Sequence, residues 1–167
     1  MRTAEEQSFL DLLDEHQGIL HRVCRLYAPL EEERRDLFQD MVAQLWRAWP
    51  GFRRESKVTT WMYQIALNTA ISTLRQAKRR IPGINWSDAL AQLPHPDPDN
   101  LYTEELPRLY LAIAQLNDVE KAITLLYLDD LSYDEIAAVT GITAGNARVK
   151  MNRIREKLRV MLQSDQL

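Results

Sequence analysis

Positive charge is missing from one long stretch of this chain. No Lys or Arg lies between Arg80 and Arg108, while Asp88, Asp97, Asp99, Glu104 and Glu105 all fall there. Phosphates respond to local fields, so nucleic-acid contacts are expected on either side of it. Cysteine is nearly absent. Cys24 stands alone, which excludes an intrachain disulfide and fits a reducing compartment. Long apolar runs are also missing, and none approaches the roughly 20 residues needed to cross a bilayer, so no stable membrane insertion is expected. Met1 to Asp14 carries Glu5, Glu6, Asp11 and Asp14 and lacks the basic-then-apolar order of a signal peptide. A soluble cytoplasmic protein is expected. No nucleophile, base or phosphate-loop motif stands out, so the chain reads as a non-enzyme. His16, His21 and Cys24 have neither Cys-x-x-Cys nor His-x-x-x-His spacing. They read as helix surface and core, with no metal and no cofactor.

The hydrophobic fraction of 46% suits a chain that buries a core. The formal net charge of −3 hides a sharp pattern. Arg75, Lys78, Arg79 and Arg80 precede the acidic stretch; Arg148, Lys150, Arg153, Arg155, Lys157 and Arg159 come late, against Glu156 alone. Five of the seven prolines fall between Pro82 and Pro107, and Pro94-His-Pro-Asp-Pro-Asp cannot be helical. This acidic, Pro-rich segment, residues 81–102, is a linker between domains at 5–80 and 103–163.

β-branched alternation is scarce, and apolar residues recur mostly at three and four. The chain reads as all-α, two small helical domains. In the N-terminal bundle a first helix pair spans Glu5 to Tyr27, broken near Gly18 and ended before Pro29. A third runs from Glu32 to Trp49, with Leu37, Met41, Leu45 and Ala48 on one stripe and Pro50-Gly51 as its stop. A fourth runs from Val58 to Lys78 after a charged loop, Phe52 to Lys57. Asn85 to Leu93 forms one short helix inside the linker.

Four helices are expected in the C-terminal domain. Thr103 caps the first, with Pro107 tolerated in its first turn. Asn117-Asp-Val-Glu120 opens the second, and Ser132-Tyr-Asp-Glu135 is a capping box opening the third. Gly141 ends that helix and Thr143 caps the fourth. In the last helix Ala147, Met151, Ile154, Leu158 and Met161 form an apolar stripe. Arg148, Asn152, Arg155 and Arg159 repeat that spacing one residue over, and Lys150, Arg153 and Lys157 widen the basic surface. A short helix, a glycine turn and a longer basic helix is the helix-turn-helix order, whose second helix meets base edges with its N-terminal residues. Those are Thr143, Asn146 and Arg148, with Lys150 and Arg153 near. Arg and Asn suit base edges, while later basic residues suit phosphate.

From Leu10 to Leu162 the chain resembles bacterial sigma factors of the extracytoplasmic-function group of the sigma-seventy family. In the first half the matching residues are Arg35-Asp-Leu-Phe-Gln-Asp-Met41, Leu45-Trp-Arg-Ala48, Phe52-Arg-Arg-Glu-Ser56 and Thr60 to Ala70, followed by the basic tail to Arg80. In the second half they are Leu131 to Ala137, Gly141-Ile-Thr143 and Arg153 to Arg159. Both blocks, in order across an acidic proline linker, are specific. Two positions depart from the usual pattern: the last helix opens Gly145-Asn-Ala-Arg-Val-Lys150, and Gln64 replaces a residue that is often basic.

The resemblance implies an RNA polymerase sigma factor that directs promoter recognition, strand opening and transcription initiation. The first domain would take the minus-10 element through Phe52, Arg53, Arg54, Ser56, Lys57, Thr60, Trp61 and Asn68, with Arg75, Lys78, Arg79 and Arg80 on the adjoining backbone. Melting needs capture of unstacked bases by basic and aromatic groups. At helical spacing from Ile65, Trp61 also reads as core, and Asn68 as a solvated helix residue. The second domain would take the minus-35 duplex through Thr143, Asn146, Arg148, Lys150 and Arg153. Asp36, Gln39, Asp40 and Gln44 would dock on the clamp helices of the polymerase's largest subunit, and the second domain on the flap of the second-largest. The acidic linker would thread the RNA path. An anti-sigma factor that holds the chain near the membrane is a further implied partner. Two other readings fit the residues: a dimeric helix-turn-helix regulator that binds a palindrome without polymerase, and an adaptor that binds protein alone.

Overall fold

The computed structural model describes residues 1–80 and 105–164. Among them lie seven α-helices and one 3-10 turn, with no strand: α1 (Ala4–Tyr27), α2 (Glu31–Ala48), the turn Trp49–Gly51, α3 (Val58–Arg80), α4 (Glu105–Ala114), α5 (Asp118–Leu128), α6 (Tyr133–Thr140) and α7 (Ala144–Ser164). The fold is all-α. The chain divides into two compact units, Met1–Arg80 and Ile81–Leu167. The linker residues 81–102, the Asn85–Leu93 helix and the Thr103 cap lie outside the described residues.

In the first unit α1 and α2 both pack on α3. One helix, α1, replaces the expected pair, because Gly18 does not break it. A glycine inside a helix costs only about 1 kcal/mol. Burial of Ile19, Leu20, Val23, Cys24 and Tyr27 on one side of α1 outweighs that. Thr3 opens α1 with a capping box closed by Glu6, and Ala28 leaves it in an extended conformation before Pro29. The Arg34 guanidinium ties the turn, donating to Ala28 O at 2.9 Å and Pro29 O at 2.7 Å. Leu37, Met41 and Leu45 from α2 and Met62, Tyr63, Ala66, Leu67 and Ala70 from α3 complete the core.

The second unit forms from α4 to α7, with α7 packed on all three others. Its core joins Ala112, Ile113 and Leu116 to Ile123 and Leu126, Ile136 and Val139, and Ala147, Met151, Ile154 and Leu158. Pro107 stands in the first turn of α4, where its missing N–H is harmless. Asn117 and Glu120 form a reciprocal capping box at α5. The same Glu120 carboxylate accepts from Lys157 Nζ of α7, so one side chain both starts α5 and fastens α7 to it.

Candidate nucleic-acid interface

The geometry of the basic helix is set before it begins. Ser132 Oγ accepts from the Glu135 N–H at 3.2 Å, and Glu135 Oε2 accepts from the Ser132 N–H at 2.8 Å. Gly141 then takes the left-handed conformation, φ 79° and ψ 3°, and its N–H donates to Ala137 O. Only glycine adopts this freely. Thr143 Oγ1 accepts from the Asn146 N–H at 3.1 Å and opens α7.

Ala147, Met151, Ile154 and Leu158 bury one stripe of α7. At helical spacing this places Arg148, Asn152, Arg155 and Arg159 on one flank and Asn146, Lys150, Arg153 and Lys157 on the other. Thr143, Asn146, Arg148 and Arg153 are exposed and Lys150 is half-buried. The charges are not equivalent. Lys157 is paired with Glu120. Arg159 holds both oxygens of Glu156, at 3.0 and 2.6 Å, and keeps that carboxyl below its ordinary range, chiefly through the hydrogen bond. Arg148 lies over the Tyr133 ring, and Arg155 lies over the Tyr127 ring and donates to its hydroxyl. Among the described residues Lys150 and Arg153 have no carboxylate partner. The unneutralised charge is therefore concentrated toward the N-terminal half of α7.

The first unit offers a different chemistry. Between α2 and α3, Arg53, Arg54, Ser56 and Lys57 are exposed on a loop where Arg54 has φ 58°. The loop rises from an aromatic cluster. Phe52 and Trp61 have ring centroids 4.7 Å apart, each ring is 6.0 Å from Trp49, and Trp49 continues to Phe9 at 5.8 Å. Trp61 is half-buried, so it serves packing and keeps part of its ring at the surface. Trp61, Gln64, Asn68 and Arg75 share one face of α3, and the last three are exposed. Thr60 departs from the expected set. It is 7% exposed, because the residue before Trp61 turns toward the core. The side chains of Lys78, Arg79 and Arg80 lie outside the described residues.

On α2, Asp36, Gln39, Asp40 and Gln44 are all exposed, away from the buried Leu37, Met41 and Leu45. Of this helix's two aromatics, Phe38 is half-buried against His21, and Trp46 is 39% exposed and 5.0 Å from Phe9 between ring centroids. Among the described residues no group of His, Cys, Asp and Glu could hold a metal, and no helix is long and apolar enough to cross a membrane.

Sequence reasoning missed the aromatic partners: the Phe52–Trp61–Trp49 cluster, and the Tyr127 and Tyr133 rings behind the arginines of α7. The local density of Trp46, Trp49, Phe52 and Trp61 was the available signal for the first. For the second there was none, since those contacts join different helices.

Comparison with known proteins places both halves. Residues 12–80 match the family model of Sigma-70 region 2, and residues 106–158 match that of Sigma-70, region 4. The chain is similar to the ECF RNA polymerase sigma-E factor of Escherichia coli, 31% identical over 169 residues that span 95% of this chain and 88% of that protein. The RNA polymerase sigma-H factor of Pseudomonas aeruginosa is 32% identical over 143 residues, 79% of this chain and 74% of its own. In fold the chain is similar to the sigma factor RpoE of Bartonella quintana, solved with the anti-sigma factor NepR, with a TM-score of 0.71 at 22% identity over 93% of this chain and 98% of that one. It is also similar to CnrH, solved with the cytosolic domain of CnrY, with a TM-score of 0.69 at 21% identity over 95% and 90% of the two chains. With region 2 and region 4 both present, and a relative matched along nearly its whole length, the chain belongs to the extracytoplasmic-function group of the sigma-70 family and is an RNA polymerase sigma factor, a non-enzymatic promoter-recognition subunit.

Proposed function

We propose that the two units divide the promoter between them: residues 5–80 take and open the minus-10 element, and residues 103–163 take the minus-35 element as duplex, with residues 81–102 as linker. The observation that carries this reading is the contrast between the two surfaces. One joins exposed Arg53, Arg54 and Lys57 to the half-buried rings of Phe52 and Trp61. Basic groups beside aromatic faces suit an unstacked base and its backbone. The other is a basic helix behind a glycine turn, with Arg148 and Asn146 exposed at its start. Arg and Asn forks suit base edges in the major groove of an intact duplex.

The exposed Asp36, Gln39, Asp40 and Gln44 face docks on the clamp helices of the polymerase's largest subunit, and the second unit on the flap of the second-largest. Exposed carboxylates on a helix anchored by buried Leu37, Met41 and Leu45 support the first contact. An anti-sigma factor is a further partner. The support is the shared fold of RpoE of Bartonella quintana, solved with the anti-sigma factor NepR. A cytoplasmic chain held near the membrane by such a partner fits the lack of any spanning helix among the described residues.

Run-off transcription with core polymerase and a genome-wide promoter library tests the whole reading. Start sites should appear only with the chain added. In the opened region, Asn68→Ala should lower permanganate reactivity more than duplex affinity. A folded chain that starts no transcript anywhere in the library overturns the proposal.

A further inference from the structure

We propose that Tyr133 is a positioning residue for minus-35 recognition, its ring holding the Arg148 guanidinium ready for a base edge. The inference rests on the reading of Arg148 as a minus-35 contact. Arg148 Cζ lies 5.0 Å from the centroid of the Tyr133 ring, inside the roughly 6 Å reach of a cation–π contact. Tyr133 is the first residue of α6, so the Ser132–Glu135 capping box fixes its backbone. It is half-buried while Arg148 is exposed. The guanidinium therefore has a ring on one side and remains accessible on the other.

The arrangement is repeated along the same flank. Arg155 lies 4.7 Å over the Tyr127 ring and donates to its hydroxyl. The two tyrosine rings are neighbours, with centroids 6.2 Å apart. Arg148 and Arg155 stand seven residues apart, about 10 Å along the helix. Two rings from α5 and α6 thus back two arginines of α7. Among the described residues no ring is placed against Lys150 or Arg153 on the opposite flank.

A planar guanidinium reads a guanine edge through two parallel hydrogen bonds, so its orientation matters more than that of a lysine point charge. A free arginine side chain surrenders rotamer freedom when it docks. One already held against a ring surrenders less, and the difference appears as affinity and as base preference.

The test uses holoenzyme assembled from the full chain and core polymerase. Its probe is a duplex that ends upstream of the minus-10 element, selected from a randomised pool with the wild-type chain. Tyr133→Leu should weaken binding about two- to fivefold, and Tyr133→Phe, which keeps the ring face, should restore it. Reselection with Tyr133→Leu should relax base preference at the one position that Arg148→Ala also relaxes. In the Arg148→Ala background Tyr133→Leu should cost nothing more. An equal cost with and without Arg148 overturns the proposal, as does no cost in either. Binding by Arg148→Ala at wild-type strength instead sinks the reading of Arg148 itself. If Tyr133→Leu melts well below wild type, proton chemical shifts of the unsubstituted chain decide. Upfield ring-current shifts of the Arg148 side chain are expected, and free-arginine values refute the contact.

Discussion

Burial pushes the Cys24 thiol up from 9.0 to about 11, against the opposing field of Arg34. The thiolate is the nucleophile, so Cys24 should react slowly with iodoacetamide at pH 8 in the folded chain and readily in denaturant. Mass spectrometry of the time course checks this, and equal rates in both states would contradict it. An unfolded chain releases this proton near 9.0 while the folded chain retains it to about 11. The contribution to stability is full below the lower value and is lost as pH rises through that window. Thr60 is divided from its neighbour by helix geometry. It is next to Trp61 in sequence, yet it is buried while Trp61 reaches the surface. A helix turns about 100° per residue, so a contiguous block of matched residues cannot all face one ligand.

Two glycines flank the turn that launches α7, and they answer to different physics. A Cβ on Gly141 would meet nothing within 4 Å, yet its φ of 79° strains any L side chain. Gly141→Ala should therefore cost roughly 1–2 kcal/mol through backbone conformation alone. A Cβ on Gly145 also meets nothing within 4 Å, but no left-handed φ is demanded there. Gly145→Ala should stabilise the chain by up to about 1 kcal/mol. Thermal melting of both variants checks the opposite signs; a shift in the same direction would contradict the account. Capping boxes at Asn117 and Ser132 and the stop at Gly141 were legible in the sequence, because caps are local backbone chemistry. The Thr3–Glu6 box carries the same local signature. Gly18 misled, because local propensity is a weak term beside a buried helix face. The Tyr133 and Tyr127 contacts were not legible, because residues on separate helices meet only once the fold has set their spacing.

Across the whole molecule, a net charge of −3 coexists with a basic helix because charge is sorted along the chain. Within that helix the sorting continues: Lys157 and Arg159 are held by Glu120 and Glu156, while Lys150 and Arg153 have no carboxylate partner among the described residues. A cation that already has a carboxylate displaces few counterions from DNA. Titrating holoenzyme against duplex at several ionic strengths should expose the difference. Lys150→Gln should flatten the plot of log affinity against log salt by roughly 0.9, whereas Lys157→Gln should leave its slope in place. Equal flattening by both would mean that the Glu120 pair opens on DNA. If the pair holds, the helix presents a smaller ionic valence than its sequence advertises. Its hold on a promoter would then weaken less, as intracellular salt rises, than a count of its lysines and arginines suggests.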